Sequence, residues 1–415
     1  MEQNMTSAQQ KKRNVQTAIY LGVLCAIAYL AGYITRNTLS ACAPQMQTQG
    51  ITETVIGGFS SVYFISYAIG QLLNGIIGDK IKARTMISLG LLLSGVSNYI
   101  FTVILDTGAS EMWATVAYAA TGFFLAMIYA PMTKVVAENT EPIHAVRCSL
   151  GYTFSSLFGS PFAGVLAAAF AWQTAFFASS LSLVLMAGAT FLCFIALERS
   201  GRVKYNQFHP MKEQEGKTEK SGTIRVLIKH KIVRFTFVAL LTGIVRTTVV
   251  FWLPTYFKQY LHFSDESSSL IFTVTTLVIS LSAFLAVAIY EVLRRKINLT
   301  MLSMFGVSAI SFLLSFLIPT PLVNIIFITL AVLFANCASN ILWSVYCPSL
   351  RDTGRVSAAT GFLDFVSYMA AAVSSSIFAN AAVSLGWGIL ILVWFALMAL
   401  GVVVCIPFEN RFRKA

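Results

Sequence analysis

An all-α membrane protein, with twelve transmembrane helices in two pseudo-symmetric six-helix bundles, is the fold class this sequence predicts. Three observations point there. Of its 415 residues, 57% are hydrophobic and only 11% charged, whereas ordinary soluble domains carry about 25% charged residues. Mean hydropathy is +0.74, and the apolar residues fall into a succession of stretches near the roughly 20 residues that span a bilayer. Finally, the two halves of the chain repeat each other.

In order, the expected helices are 16–45, 54–79, 84–105, 112–138, 146–170, 173–197, 231–260, 267–293, 299–318, 321–349, 355–383 and 387–407. They divide the chain into an N-terminal tail (1–15), a first bundle (16–197), a linker (198–230), a second bundle (231–407) and a C-terminal tail (408–415). A signal peptide followed by a soluble domain would need a small-residue cleavage site and a polar remainder, and neither is present.

Orientation follows from the Lys and Arg residues, which concentrate in cytoplasmic loops. Lys11, Lys12 and Arg13 fall on one side with Lys80, Lys82 and Arg84, then Arg147, the 198–231 segment, Arg294 to Lys296, Arg351 and Arg355, and Arg411 to Lys414. The intervening connections, such as Gln47 to Thr54 and Pro319 to Pro321, carry little positive charge. Both termini are therefore expected in the cytoplasm of a multi-pass protein of the inner or plasma membrane. The net charge of +12 is accounted for by this asymmetry, so no nucleic-acid binding is read from it. Seven scattered cysteines without CxxC spacing and four histidines near helix ends argue against a disulfide framework or a metal site. No cofactor is expected, and the partners are the lipid bilayer and a small anionic substrate, the protein itself being a monomer.

The repeat is read from spacing. Arg36 is followed eight residues later by Pro44, and Arg246 eight residues later by Pro254. Thr52-Glu53 corresponds to Ser264-Asp265, a hydroxyl-then-acid pattern suited to a helix N-cap. Asp79 is matched by Glu291, and Trp172, opening the sixth helix, by Trp387, opening the twelfth. Transporters are commonly built from such repeats, with a substrate site where the halves meet.

A charge inside the bilayer costs roughly 2.5–3.5 kcal/mol on insertion scales and marks a functional position by default. Arg36 and Arg246 lie within strongly apolar helices. Their guanidinium forks grip carboxylate or phosphate oxygens bidentately, so two of them suggest an anionic ligand. Asp364 is the clearest intramembrane acid, a possible proton site or ion-pair partner. Lys134, after the Tyr129-Ala130-Pro131 stretch, either adds a third cation or snorkels to the interface. Tyr29 and Tyr33 share a helical face with Arg36. Trp252 reads as packing or as ligand stacking, and Asn336 and Asn340 as cavity-lining groups or helix–helix bonds.

The segment Gly75 to Arg84 resembles the loop signature of the major facilitator superfamily, with a glycine, a spacer and Asp79 before basic residues; Lys82 replaces the second glycine of the usual pattern. Asp79, Arg84 and Glu291 are thereby expected to serve gating. Arg246, Trp252, Pro254-Thr255-Tyr256, Lys258 and His262-Phe263 resemble the seventh helix of the organophosphate:phosphate antiporters. Tyr29, Tyr33 and Arg36 in the first helix and Gly361-Phe362 with Tyr368 in the eleventh extend the resemblance over nearly the whole chain. It implies Arg36 and Arg246 as phosphate clamps with Tyr29, Tyr33 and Tyr368 as hydrogen-bond donors. Two departures are visible: Gln71 stands where that family has a second-helix Lys, and the fifth helix offers Tyr152, Thr153 and Phe154 with no His.

The expected function is a secondary active transporter that moves a small organic anion, such as a phosphorylated metabolite exchanged for inorganic phosphate, by alternating access. A transporter-like membrane sensor of sugar phosphate, and a proton-coupled carrier of carboxylates or other anions, remain alternatives. No GxxxxGK[ST] loop is present for ATP and no nucleophile has a convincing base beside it, so an enzyme is not expected.

Overall fold

The computed structural model describes residues 7–78, 81–205, 231–318, 320–350 and 356–406. Among these residues all regular structure is helical. The first seven helices are α1 (Ser7–Thr48), α2 (Glu53–Gly78), α3 (Ala83–Asp106), α4 (Glu111–Leu125), α5 (Tyr129–Asn139), α6 (Pro142–Ala169) and α7 (Trp172–Arg199). There follow α8 (Ile232–Gly243), a π-helical turn (Ile244–Val249), α9 (Val250–Gln259), α10 (Asp265–Ser280), α11 (Ser282–Val292) and α12 (Ile297–Leu317). The chain continues through α13 (Pro321–Ile341), a second π turn (Leu342–Tyr346), the short α14 (Cys347–Ser349), α15 (Val356–Leu385) and α16 (Trp387–Cys405).

Among the described residues eleven helical spans are long and apolar enough to cross a membrane. Helix α6 is 28 residues long, and Phe158–Ala169 within it is a shorter apolar segment. Large side chains such as Ile19, Leu192, Leu322 and Val292 are exposed along these spans, an arrangement that suits hydrocarbon and not water. Outside the described residues lie Asp79 and Lys80, the linker from 206 to 230, Pro319, Arg351 and Arg355, and the basic C-terminal residues Arg411, Arg413 and Lys414.

Several expected single helices are interrupted. The fourth expected helix breaks between Leu125 and Tyr129, where Pro131 has no N–H to bond the Met127 carbonyl and its ring would clash with it. The eighth breaks at Leu281, beside Ser282, whose hydroxyl accepts from Asn340 Nδ2 at 3.1 Å and whose carbonyl accepts from Cys337 Sγ at 3.4 Å. Each π turn is followed within a few residues by a proline, Pro254 or Pro348. Proline alone does not force the turn, because Pro44 and Pro161 sit in helices that remain α.

The chain divides into two compact units. The first comprises Met1–Glu219 with Asp265–Thr273, and the second Lys220–Ser264 with Val274–Ala415. In the first unit α1 packs most extensively on α6 and also on α7, while α3 packs on α4 and α7. The opening of α10 belongs to this unit, held by Thr48 Oγ1 donating to Asp265 Oδ2 at 2.8 Å. In the second unit α12 packs on α13 and α16, and α8 with its π turn packs on α15. Thr52 caps α2, its Oγ1 accepting from the Val55 amide at 3.4 Å.

One tie recurs in both units. Trp172, the first residue of α7, donates its indole N–H to Gln49 Oε1 at 2.7 Å, just past the end of α1. Trp387, the first residue of α16, donates to Gln259 Oε1 at 2.8 Å, at the end of α9. Gln49 and Gln259 stand at the same spacing that relates Arg36 to Arg246, so each half fastens its first helix to its last in the same way. Both indoles are buried, and a buried donor stripped of its acceptor costs about 1–3 kcal/mol. Gln49→Ala and Gln259→Ala are therefore each expected to lower the thermal unfolding midpoint of detergent-purified protein by several degrees. Unchanged midpoints in both would show that the clasps contribute nothing.

Candidate functional site

In the first unit the site is built on one face of α1. Tyr29, Tyr33 and Arg36 follow each other at four and three residues, which stacks them along the helix. The Arg36 guanidinium is enclosed by aromatic rings: its Cζ lies 5.3 Å from the Tyr33 centroid, 5.2 Å from Phe64 and 5.3 Å from Tyr67. Phe64 and Tyr67, three apart on α2, are buried, and Tyr67 stacks on Tyr63 with centroids 6.1 Å apart. A cation over a ring gains about 0.5–1 kcal/mol when exposed and about 2 when desolvated. Three such faces replace part of the hydration that Arg36 loses within an apolar helix.

Next to this cage stands a cluster of tyrosines from three helices. Tyr29 meets Tyr33 edge-on at 4.8 Å, Tyr129 of α5 at 5.5 Å and Tyr152 of α6 edge-on at 6.4 Å. The Tyr29 hydroxyl donates to that of Tyr33 at 3.4 Å. Glycine lets α6 come this close: a Cβ added at Gly159 would stand 2.4 Å from Tyr33 Cβ and 2.9 Å from its backbone carbonyl carbon. The position of Tyr33, and with it one wall of the Arg36 cage, therefore depends on Gly159 carrying no side chain.

In the second unit Arg246 lies inside the π turn Ile244–Val249, a form found mostly as single-turn bulges, frequently at functional sites. It is half-buried, and among the described residues it makes no hydrogen bond or ion pair. The turn is fixed against α15, where the Thr248 hydroxyl donates to the Ala371 carbonyl at 3.1 Å and lies 2.8 Å from the Ser374 hydroxyl. A Cβ at Gly243 would meet the Ser367 carbonyl oxygen at 2.6 Å, so α8 and α15 touch backbone to backbone just before the turn.

The remaining sequence-predicted residues are distributed as follows. Tyr368 is buried on α15, and Asp364, half-buried one turn before it, lies close to Cys347. Trp252 is buried with its indole N–H unsatisfied by any hydrogen bond. Asn336 donates to the Val332 carbonyl of its own helix at 3.0 Å, while Asn340 ties α13 to Ser282. Gln71 is half-buried on α2, four residues after Tyr67. Lys134 lines a cleft of about 300 Å³ with Lys82, Glu138 and Tyr205, a separate place from the Arg36 cage.

Of the expected gating residues, Asp79 lies outside the described residues. Arg84 pairs with Glu198 at 2.7 Å across the ends of α3 and α7, and Glu198 accepts a further hydrogen bond from the Tyr205 hydroxyl at 2.7 Å. Burial, followed by that bond to the carboxylate, pushes the Tyr205 phenol up. Glu291 is exposed, 3.8 Å from Arg295 in the following turn.

Sequence reasoning did not single out Phe64, Tyr67 or Tyr129. A signal was available for the first two: together with Gln71 they recur at three and four residues along the second helix, the spacing of one face. For Tyr129 no such pattern exists, because it opens a helix whose separation from α4 was not foreseen.

A family model described as the Major Facilitator Superfamily matches residues 25–375 of the chain. The glycerol-3-phosphate transporter of Bacillus subtilis (strain 168) is 22% identical over 283 residues, 65% of this chain and 63% of that protein. The hexuronate transporter of the same organism is 24% identical over 366 residues, covering 81% of this chain and 82% of that one. The chain thus spans under two thirds of the first relative's length and most of the second's. Among solved structures, a D-xylose-proton symporter superposes with a TM-score of 0.72 at 12% identity, covering 95% of this chain and 98% of that chain.

Gly159→Ala is expected to push α6 away from Tyr33 and to lower uptake, even though alanine is the better helix former by about 1 kcal/mol. Gly188→Ala on α7, where an added Cβ meets nothing within 4 Å, is the control and is expected to bind and transport as the native protein does. Equal behaviour of the two variants in a binding and uptake assay would show that the α1–α6 approach does not position the site.

Proposed function

The chain belongs to the major facilitator superfamily and is a multi-pass membrane transporter; from that premise we propose that it carries a small organic anion, with Arg36 and Arg246 as the anion's ligands. The observation that carries this reading is the treatment of the two guanidinium groups. Arg36 is stabilised inside an apolar helix by three ring faces, which reduce its desolvation cost. Arg246 is held in a π turn with no carboxylate against it among the described residues. Cations kept in this way inside apolar helices are matched to a mobile anion.

The names of the two sequence relatives agree on a hydroxylated organic anion and differ on the anionic group, a phosphate ester in one and a carboxylate in the other. A phosphorylated or carboxylated metabolite therefore fits the substrate class. Alternating access supplies the cycle: a bound anion offsets the guanidinium charge and permits reorientation. The return step requires a second anion to do the same, which makes exchange, including exchange for inorganic phosphate, the favoured mode.

Lysine keeps the charge but loses the planar fork. A hydrogen bond to a charged group contributes about 1.5–3 kcal/mol, and each 1.4 kcal/mol is about tenfold. Arg36→Lys and Arg246→Lys are thus each expected to reduce counterflow of labelled phosphate, glycerol 3-phosphate or glucuronate in proteoliposomes by roughly ten- to a hundredfold. Near-native counterflow in either variant would remove that arginine from the site.

A further inference from the structure

Resting on the anion-carrier reading above, we infer that Tyr118 of α4 is a positioning residue for Arg36: by fixing Tyr63 it holds two rings of the guanidinium cage, so that the cation is ordered before an anion arrives. Tyr63 is the residue on which the α2 side of the cage leans. Phe64 meets it edge-on at 5.4 Å, and Tyr67 stacks on it at 6.1 Å with the rings only 13° from parallel. Tyr63 in turn lies 5.1 Å from the Tyr118 ring, inclined by 35°, and Tyr118 lies 4.6 Å from Phe101 of α3. Tyr63, Tyr118 and Phe101 are each no more than 2% exposed. The phenol of Tyr118 is also within electrostatic reach of Arg36.

The backbone at this level is already fixed, which leaves the ring directions as the remaining freedom. A Cβ added at Gly122 of α4 would stand 2.6 Å from the Tyr63 carbonyl oxygen, and the Ser66 hydroxyl donates to the Ala119 carbonyl at 2.7 Å, so α2 and α4 touch along this stretch. With its backbone held, the Tyr63 side chain has a few staggered rotamers open to it, and contact with the Tyr118 ring selects among them. A long side chain that must be ordered on binding costs affinity. An arginine already held by three ring faces avoids that cost. Tyr118 therefore raises the affinity for every anion that Arg36 ligates and does not choose among them. Beyond Phe101 the aromatic core continues to Phe176 of α7 at 5.5 Å, a residue just as buried but two ring contacts away from Tyr118.

The test is a binding titration of the detergent-purified full chain with inorganic phosphate, glycerol 3-phosphate and glucuronate, alongside uptake kinetics in proteoliposomes. Tyr118→Leu is expected to weaken all three by a common factor of about two to ten, the scale of ordering one long side chain, and to raise the KM for uptake in proportion while the maximal rate is retained. Tyr118→Met, which fills more of the same space, is read in the same way if the leucine variant does not purify folded. Tyr118→Phe keeps the ring and is expected to bind as the native protein does. Phe176→Leu removes comparable buried aromatic surface and is expected to lower the thermal unfolding midpoint without changing any of the three affinities. A second measurement does not depend on transport: phenylglyoxal, which modifies accessible guanidinium groups, is expected to label Arg36 several-fold faster in Tyr118→Leu than in the native protein or Tyr118→Phe. Native affinities and native labelling in Tyr118→Leu would overturn the inference, as would an equal loss of affinity in Phe176→Leu, which would make both residues general packing. If the native protein binds none of the anions while Arg36 labelling still responds to Tyr118→Leu, the anion-carrier reading falls and the positioning of Arg36 stands. Loss of affinity on Arg36→Lys with none on Tyr118→Leu removes only the role of Tyr118.

Discussion

A permanently charged guanidinium placed in an apolar helix is the constraint on which the rest of this molecule turns. Arginine keeps its charge throughout the accessible pH range, so the protein around it must supply what water would have supplied. In the first unit the supply is aromatic, with ring faces from α1 and α2 at closely matched distances around Arg36. In the second unit the corresponding residue sits in a widened turn of the helix. Equivalent residues in a repeated sequence have thus acquired different surroundings.

Keeping the cage in place falls to small residues and polar ties outside it. Gly159, having no side chain, allows α6 to reach the backbone of Tyr33 and so sets where that ring can stand. Gly243 does the equivalent for α8 and α15 beside the π turn. Within a bilayer, helices gain little from burying apolar surface against one another, so close approach and hydrogen bonds dominate their association. The Trp172–Gln49 and Trp387–Gln259 clasps, and the Arg84–Glu198–Tyr205 group at the ends of α3 and α7, fix helix ends where polar groups are available.

Aromatic residues account for the character of the site as much as its cations do. Lys134 lies in its own cleft with Glu138, and Gln71 contributes no charge to the face of α2 that carries Tyr67. Phenyl and phenol rings stand around Arg36.

Membrane class, helix count and the repeated architecture were determined by the sequence alone, because they depend on hydropathy over windows of about 20 residues and on spacings that survive in both halves, such as Arg36–Pro44 and Arg246–Pro254. The shared face of Tyr29, Tyr33 and Arg36 was equally legible, since it follows from the period of a single helix. Tertiary structure decided the rest. That Phe64 and Tyr67 close over Arg36 depends on α2 lying beside α1, and that Tyr129 joins Tyr29 depends on the break at Pro131 and the approach of a third helix. The π turn at Arg246 likewise depends on how α8 is pinned to α15 at Gly243 and Thr248. Helical period records which residues share a face of one helix; which faces meet is set by packing between segments far apart in the chain, and no local spacing encodes it.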